Sequence, residues 1–157
     1  MDDLFYMNVA YEEATLAANE GEVPVGAVIV CNGEIIAKEH NRREQNKDST
    51  AHAEMLAIKK ACERLGTWRL TDCTAYVTLE PCIMCSGALL NSRIDRVVFG
   101  AGDATMGACG SLMNVNNFPD MYHHFEVCSG IMADECASLI TDFFVKRRKE
   151  GKFKKNN

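Results

Sequence analysis

His52, Glu54, Cys82 and Cys85 are the residues of this 157-residue chain whose types and spacing can do chemistry. One imidazole and two sulfurs make three zinc ligands, and Cys82-Ile83-Met84-Cys85 has the spacing that presents both sulfurs from a single helical turn. A structural zinc usually has four protein ligands, whereas a catalytic zinc has three and keeps a position for water. Zinc held in this way lowers the pKa of its water from about 15.7 towards ~7, so hydroxide is available at neutral pH. Glu54 lies two residues from His52. Its carboxylate can therefore reach that water without taking a coordination position, accept a proton, and pass it on to a substrate. Taken singly the residues allow other roles. Cys82 and Cys85 alone would suit a structural zinc or a redox pair, His123 and His124 could add ligands, and Glu54 is a residue type favoured in any first helical turn.

Two helix starts must converge to bring these groups together. Pro81 stands where helices begin, and Cys82 to Asn91 reads as helical; His52 opens a second helix over about 52–65, with Ala53, Leu56, Ala57 and Ala61 inward. Helix N–H groups pointing at the sulfurs favour thiolate. Leu4, Met7, Ala10, Ala14 and Ala17 or Ala18 predict an amphipathic helix over 3–20, ended by Gly21. Val25 to Val30 and Glu34 to His40 predict strands joined by the hairpin signal Asn32-Gly33. Residues 41–50 are polar. Ala75 to Leu79, Arg96 to Gly100 and Phe125 to Val127 predict three further strands, and the stretch over about 102–121 a long Gly- and Asn-rich loop. The last helix, about 133–149, is expected to bury Cys136, Leu139, Ile140 and Phe143 or Phe144. The order α-β-β-α-β-α-β-β/loop-α predicts an α/β fold of one domain over 1–157, a three-layer α-β-α arrangement around a central mixed sheet.

Apolar residues make up 47% and charged residues 25%, as in ordinary soluble globular proteins. No apolar run approaches the ~20 residues that span a bilayer, and Met1-Asp2-Asp3 is acidic where a signal peptide is basic, so no membrane partner is expected and the cytoplasm is the expected compartment. Eight cysteines in a chain this well supplied with aliphatic residues suit reduced thiols better than a disulfide framework. Net charge is −5, yet from Lys146 to Asn157 seven basic residues oppose Glu150 alone, a local +6. A basic end on an acidic body suits contact with a polyanion through one region; a solvated helix end is the plainer alternative.

The set of motifs resembles the cytidine and deoxycytidylate deaminase superfamily, in particular its bacterial tRNA-specific adenosine deaminases, across almost the whole chain. The resemblance rests on Glu22-Val23-Pro24-Val25-Gly26-Ala27, His40-Asn41-Arg42, Thr50-Ala51-His52-Ala53-Glu54, Val77-Thr78-Leu79-Glu80-Pro81-Cys82, Ser92-Arg93-Ile94, Val97-Val98-Phe99-Gly100-Ala101, Gly110-Ser111-Leu112-Met113, Ala133-Asp134-Glu135-Cys136 and Asp142-Phe143-Phe144. It implies a cytidine-deaminase-like five-stranded sheet, a homodimer, one Zn2+ per subunit, and conversion of adenosine to inosine at the wobble position in the anticodon stem-loop of a tRNA, in bacteria an arginine tRNA. It makes His52, Cys82 and Cys85 the zinc ligands and Glu54 the proton shuttle. It implies that Asn41 hydrogen-bonds the purine, that backbone groups around Ala53 and Pro81 border the base, and that Asp103 and Ala104 lie beside the flipped nucleotide. Asp142, Phe143, Phe144, Arg147 and Arg148 fall where the last helix of that family meets the anticodon loop, so arginines can contact phosphates and an aromatic can stack on a base. Without the resemblance, Asn41 could serve an Asx turn, Asp103 loop chemistry, and Phe143 and Phe144 core packing. Many relatives carry a basic residue after the Asp-Ala pair, where this chain has Thr105-Met106. Two other functions fit the zinc ligands: deamination of a free base or nucleoside such as guanine or cytidine, and a zinc-stabilised RNA-binding module without turnover.

Overall fold

In the computed structural model, which describes residues 2–151, five strands form one sheet in the order β2-β1-β3-β4-β5. Along the chain the elements are α1 (Asp3–Asn19), β1 (Gly26–Cys31), β2 (Glu34–His40), α2 (Arg43–Asn46), α3 (Ala53–Leu65), β3 (Cys73–Leu79), α4 (Ile83–Asn91), β4 (Arg96–Ala101), β5 (Glu126–Ser129) and α5 (Ala133–Lys149). β1 is antiparallel to β2 and to β3, while β3, β4 and β5 run parallel, so the sheet is mixed as expected. The hairpin turns at Asn32 and Gly33, whose φ values of 50° and 77° are those the Asn-Gly pair supplies to a tight primed turn.

Successive strand residues face opposite cores. Ala27, Ile29, Ala75, Val77, Val97 and Phe99 pack with Ala53, Ala57 and Ala61 of α3 and with Leu89 and Leu90 of α4. Val28, Val30, Tyr76 and Val98 face the other way, onto Met7 and Ala10 of α1 and onto Ile131 and Met132 just ahead of α5. Three layers result, with α3 and α4 on one face of the sheet and α1 and α5 on the other.

The small residues of α1 have a cause in the sheet: a Cβ on Gly26 would come within 1.9 Å of the Ala10 carbonyl oxygen, so helix and strand meet backbone to backbone. The buried stripe is Met7, Ala10, Ala14 and Ala17, and Leu4 lies outside it, 57% exposed. Polar contacts hold the first turn instead. The Asp3 carboxylate takes two hydrogen bonds from Arg96, each 2.8 Å, and one from the Tyr76 hydroxyl at 2.7 Å.

Other departures follow from long-range partners. The polar stretch 41–50 contains α2, one turn whose Glu44 and Gln45 N–H groups donate to the buried carboxylate of Glu22 at 3.0 and 2.8 Å. The segment between β4 and β5 carries no helix and is pinned by bridges pairing Cys82 with Gly107 and Cys109 with Asn114. On α5 only Cys136 is fully buried; Leu139, Ile140, Phe143 and Phe144 are half-buried, because the exposed side of that face borders open cavities rather than core. Of the basic end, Lys152, Lys154 and Lys155 lie outside the described residues.

Candidate active site

His52 and Cys82 occupy equivalent places, each the extended residue immediately before a helix, α3 and α4 respectively. Neither side chain caps its own helix, and the two turn towards each other. The Nδ1 atom of His52 lies 3.7 Å from the Cys82 sulfur and 3.5 Å from the Cys85 sulfur, and all three donor atoms fall within 4.8 Å of one another. Tetrahedral zinc with Zn–S of about 2.3 Å and Zn–N of about 2.0 Å separates its ligand atoms by roughly 3.5–3.8 Å. Both distances from Nδ1 match that spacing, so the three residues fit a zinc ion with His52 facing both sulfurs through Nδ1.

The electrostatics agree with a cation site. Hydrogen bonds from Cys85 and His52 push the Cys82 thiol down to about 4, and the hydrogen bond to Cys82 raises the pKa of His52. Cys85, facing that thiolate and buried, is raised. Metal binding would take the place of the protons that His52 and Cys85 hold beside the Cys82 thiolate. Glu54, one residue inside α3, is 6% exposed, and burial pushes its carboxyl up to about 7.

These groups form the floor of a cavity of about 580 Å³. Asn41, Ala53, Asp103, Ala104 and Phe144 line it together with His52, Glu54 and Cys82. A second cavity, of about 540 Å³, shares Val23, Asn41, Arg43 and Phe144 with the first and adds Phe143 and Arg147. Asn41 ends β2 in an Asx turn: its Oδ1 accepts from the Arg43 N–H at 3.2 Å, and its amide donates to the Val23 carbonyl at 3.3 Å. The turn and the cavity position coincide. Phe143 and Phe144 meet edge to face with centroids 5.4 Å apart, and Arg147 lies over the Phe143 ring and donates to the Gly21 carbonyl. Pro81 is buried behind the floor, its carbonyl accepting from the Ala108 N–H at 2.9 Å; Asp142 and Arg148 are exposed and line neither cavity. His123 and His124 contact the carbonyls of Ile94 and Phe118 and stand apart from the metal ligands.

Sequence reasoning passed over Arg43 and Glu80 as cavity residues, although both lie within or beside the quoted motifs. Their place within or beside those motifs was the available signal, whereas the burial of Glu80 shows only in the fold. Glu13, Glu39 and His40 form a second acidic cluster, which pairs internally: His40 meets Glu13 and Glu20 at 2.9 Å each, and Glu39 meets Lys60 at 2.6 Å and Arg42 at 3.1 Å.

Three metal-ligand residues at two helix starts, with a buried carboxylate beside them in an open cavity, suit a zinc-dependent hydrolase. Residues 1–101 match the cytidine and deoxycytidylate deaminase zinc-binding region. The chain is 51% identical over 155 residues, 99% of its own length and 96% of the relative's, to the tRNA-specific adenosine deaminase of Bacillus subtilis strain 168. Among solved structures it is similar to one from work on A-to-I editing by tRNA:A34 deaminases at the wobble position of transfer RNA, with TM-score 0.80, 42% identity, and coverage of 86% of this chain and 98% of that one. It is also similar to guanine deaminase from Bacillus subtilis, with TM-score 0.62, 41% identity and coverage of 65% and 66%. The chain belongs to the cytidine and deoxycytidylate deaminase family, in its tRNA-specific adenosine deaminase branch.

Proposed function

We propose that this chain converts adenosine to inosine at the wobble position of a tRNA anticodon by zinc-dependent hydrolysis. Its expected substrate is an arginine tRNA, and its expected form a cytoplasmic homodimer of single-domain subunits with one zinc each. The observation that supports the substrate class is the adjacency of the two cavities, which share Val23, Asn41, Arg43 and Phe144 in their walls. A free base needs only the first, whereas a base still joined to its loop needs a floor for the base and a mouth for the neighbouring nucleotides.

Bound zinc supplies Lewis-acid activation of water for attack on the ring carbon that carries the amine. The Glu54 carboxylate takes the water proton, gives it to the adjacent ring nitrogen, and then helps protonate the amine; a C–O bond forms, the C–N bond breaks, and ammonia leaves. Burial, which raises the Glu54 carboxyl, favours its taking up a proton. Asn41, held by Val23 and Arg43, presents its amide to the purine, while the backbone about Ala53 and Pro81 borders the ring and Asp103 and Ala104 flank the flipped nucleotide. At the mouth Phe143 or Phe144 stacks on a base, and Asp142, Arg147 and Arg148 meet the loop backbone. Exposed apolar side chains such as Ile83 on α4 and Leu112 support self-association. Among the described residues no helix is long and apolar enough to cross a membrane.

Zinc-loaded protein incubated with a tRNA bearing wobble adenosine should yield inosine, and yield less as salt rises. The similarity to guanine deaminase supports a second substrate, a free base such as guanine; its turnover would be indifferent to salt and to truncation after Phe144.

A further inference from the structure

Glu80 follows β3 and precedes Pro81-Cys82, and it is 2% exposed. Among the described residues no cation pairs with its carboxylate; four neutral donors surround it. One oxygen accepts from the Asp103 N–H at 3.0 Å and from the Ser111 hydroxyl, the other from the Cys109 N–H at 3.0 Å and the Ser111 N–H at 3.1 Å. All these donors belong to the segment after β4. The same segment is closed by Gly107 N–H to Asp103 carbonyl at 2.9 Å and tied to the metal side by Ala108 N–H to Pro81 carbonyl at 2.9 Å. It packs so closely on the carboxyl that a Cβ on Gly107 would lie 2.3 Å from its carbon. Its outer side, Gly102 to Met106, lines the catalytic cavity.

We propose that Glu80 is the positioning residue of the substrate cavity: its carboxylate is the nucleus about which residues 102–113 fold, and it fixes Asp103 and Ala104 at a set height over Cys82. Both oxygens carry two donors, which fills a carboxylate's acceptor capacity and leaves no role in proton transfer. The role rests on the proposed deamination only for its kinetic consequence.

Glu80→Gln keeps the shape and replaces one acceptor oxygen by a donor, so at least one backbone N–H of the segment loses its partner. Zinc content is expected to stay at the wild-type level, and hydrogen exchange should speed up by about tenfold or more at residues 103–113 and not in α1. A displaced wall weakens substrate and transition state alike, so KM for a wobble-adenosine anticodon stem-loop should rise by about tenfold with kcat nearly kept. A merely structural role would lower kcat with the folded fraction and leave KM alone. Unchanged exchange at 103–113, or unchanged KM, overturns the proposal. Should Glu80→Gln fail to fold, Ser111→Ala, which removes one donor and keeps the carboxylate, must show the same localised exchange and the same KM direction to a smaller degree. If wild-type protein makes no inosine, the substrate assignment fails, and the exchange measurement still decides the role of Glu80.

Discussion

Glu54 and Glu80 are buried carboxylates that line the same cavity, and their surroundings shift them in opposite directions. On the floor, Glu54 is raised to about 7 because burial outweighs the few groups that favour its charge. In the wall, Glu80 is buried too, yet its hydrogen bonds to Ser111 and to the Asp103, Ser111 and Cys109 N–H groups overcome that burial and lower its pKa. The Glu54 carboxylate meets only its own N–H and the Cys85 thiol, whereas that of Glu80 is saturated with donors. Residue type and burial therefore do not distinguish the two carboxylates, whereas their hydrogen-bond donors do.

The largest effect available is on the floor itself. Cys85→Ala should abolish both zinc binding and turnover, because the remaining two ligands do not hold a catalytic zinc; metal content measured beside activity checks it. Zinc retained at wild-type level would mean that another residue completes the site. Next in size is the wall, where Glu80→Gln should change KM rather than metal.

Asp3→Asn supplies the contrast that makes the wall result readable, since the contacts of Asp3 with Arg96 and Tyr76 lie in neither floor nor wall. It should lower stability by about 1–3 kcal/mol at neutral pH and leave KM unchanged, as denaturant unfolding and kinetics would show. The Asp3 carboxyl is held below its ordinary value of 3.8, first by the Arg96 hydrogen bond. Its contribution is accordingly present above about pH 4 and disappears as pH falls through the lowered folded value, so the two unfolding curves should converge in acid. The smallest effect is at the mouth: Arg148→Ala should weaken RNA binding modestly and reduce the slope of log K against log salt by about 1.

The floor was legible in the sequence because its ligands sit at short spacings set by two helix starts, and such spacings survive without knowledge of the fold. His52, Cys82 and Cys85 converge as their positions imply, and the five strands appear with boundaries shifted by a residue or two. The wall was not legible. Glu80 and Ser111 are 31 positions apart, and nothing local marks them as partners. The same holds for Glu22, whose carboxylate organises α2 from over 20 residues away, and for Gly26, whose missing Cβ explains why α1 is lined with alanine. Phe143 and Phe144 were ambiguous because helical spacing marks a face without saying whether core or cavity lies beneath it; here both cavities do.

The division of labour between the two carboxylates is tested most directly at Glu54. Wild-type protein and Glu54→Gln, each with its zinc content measured, should be incubated with a tRNA carrying wobble adenosine and read for inosine. The expected result is inosine from wild type and a loss of at least about 100-fold in the variant, with zinc and tRNA binding retained. Inosine formed at an undiminished rate by zinc-loaded Glu54→Gln would contradict the account.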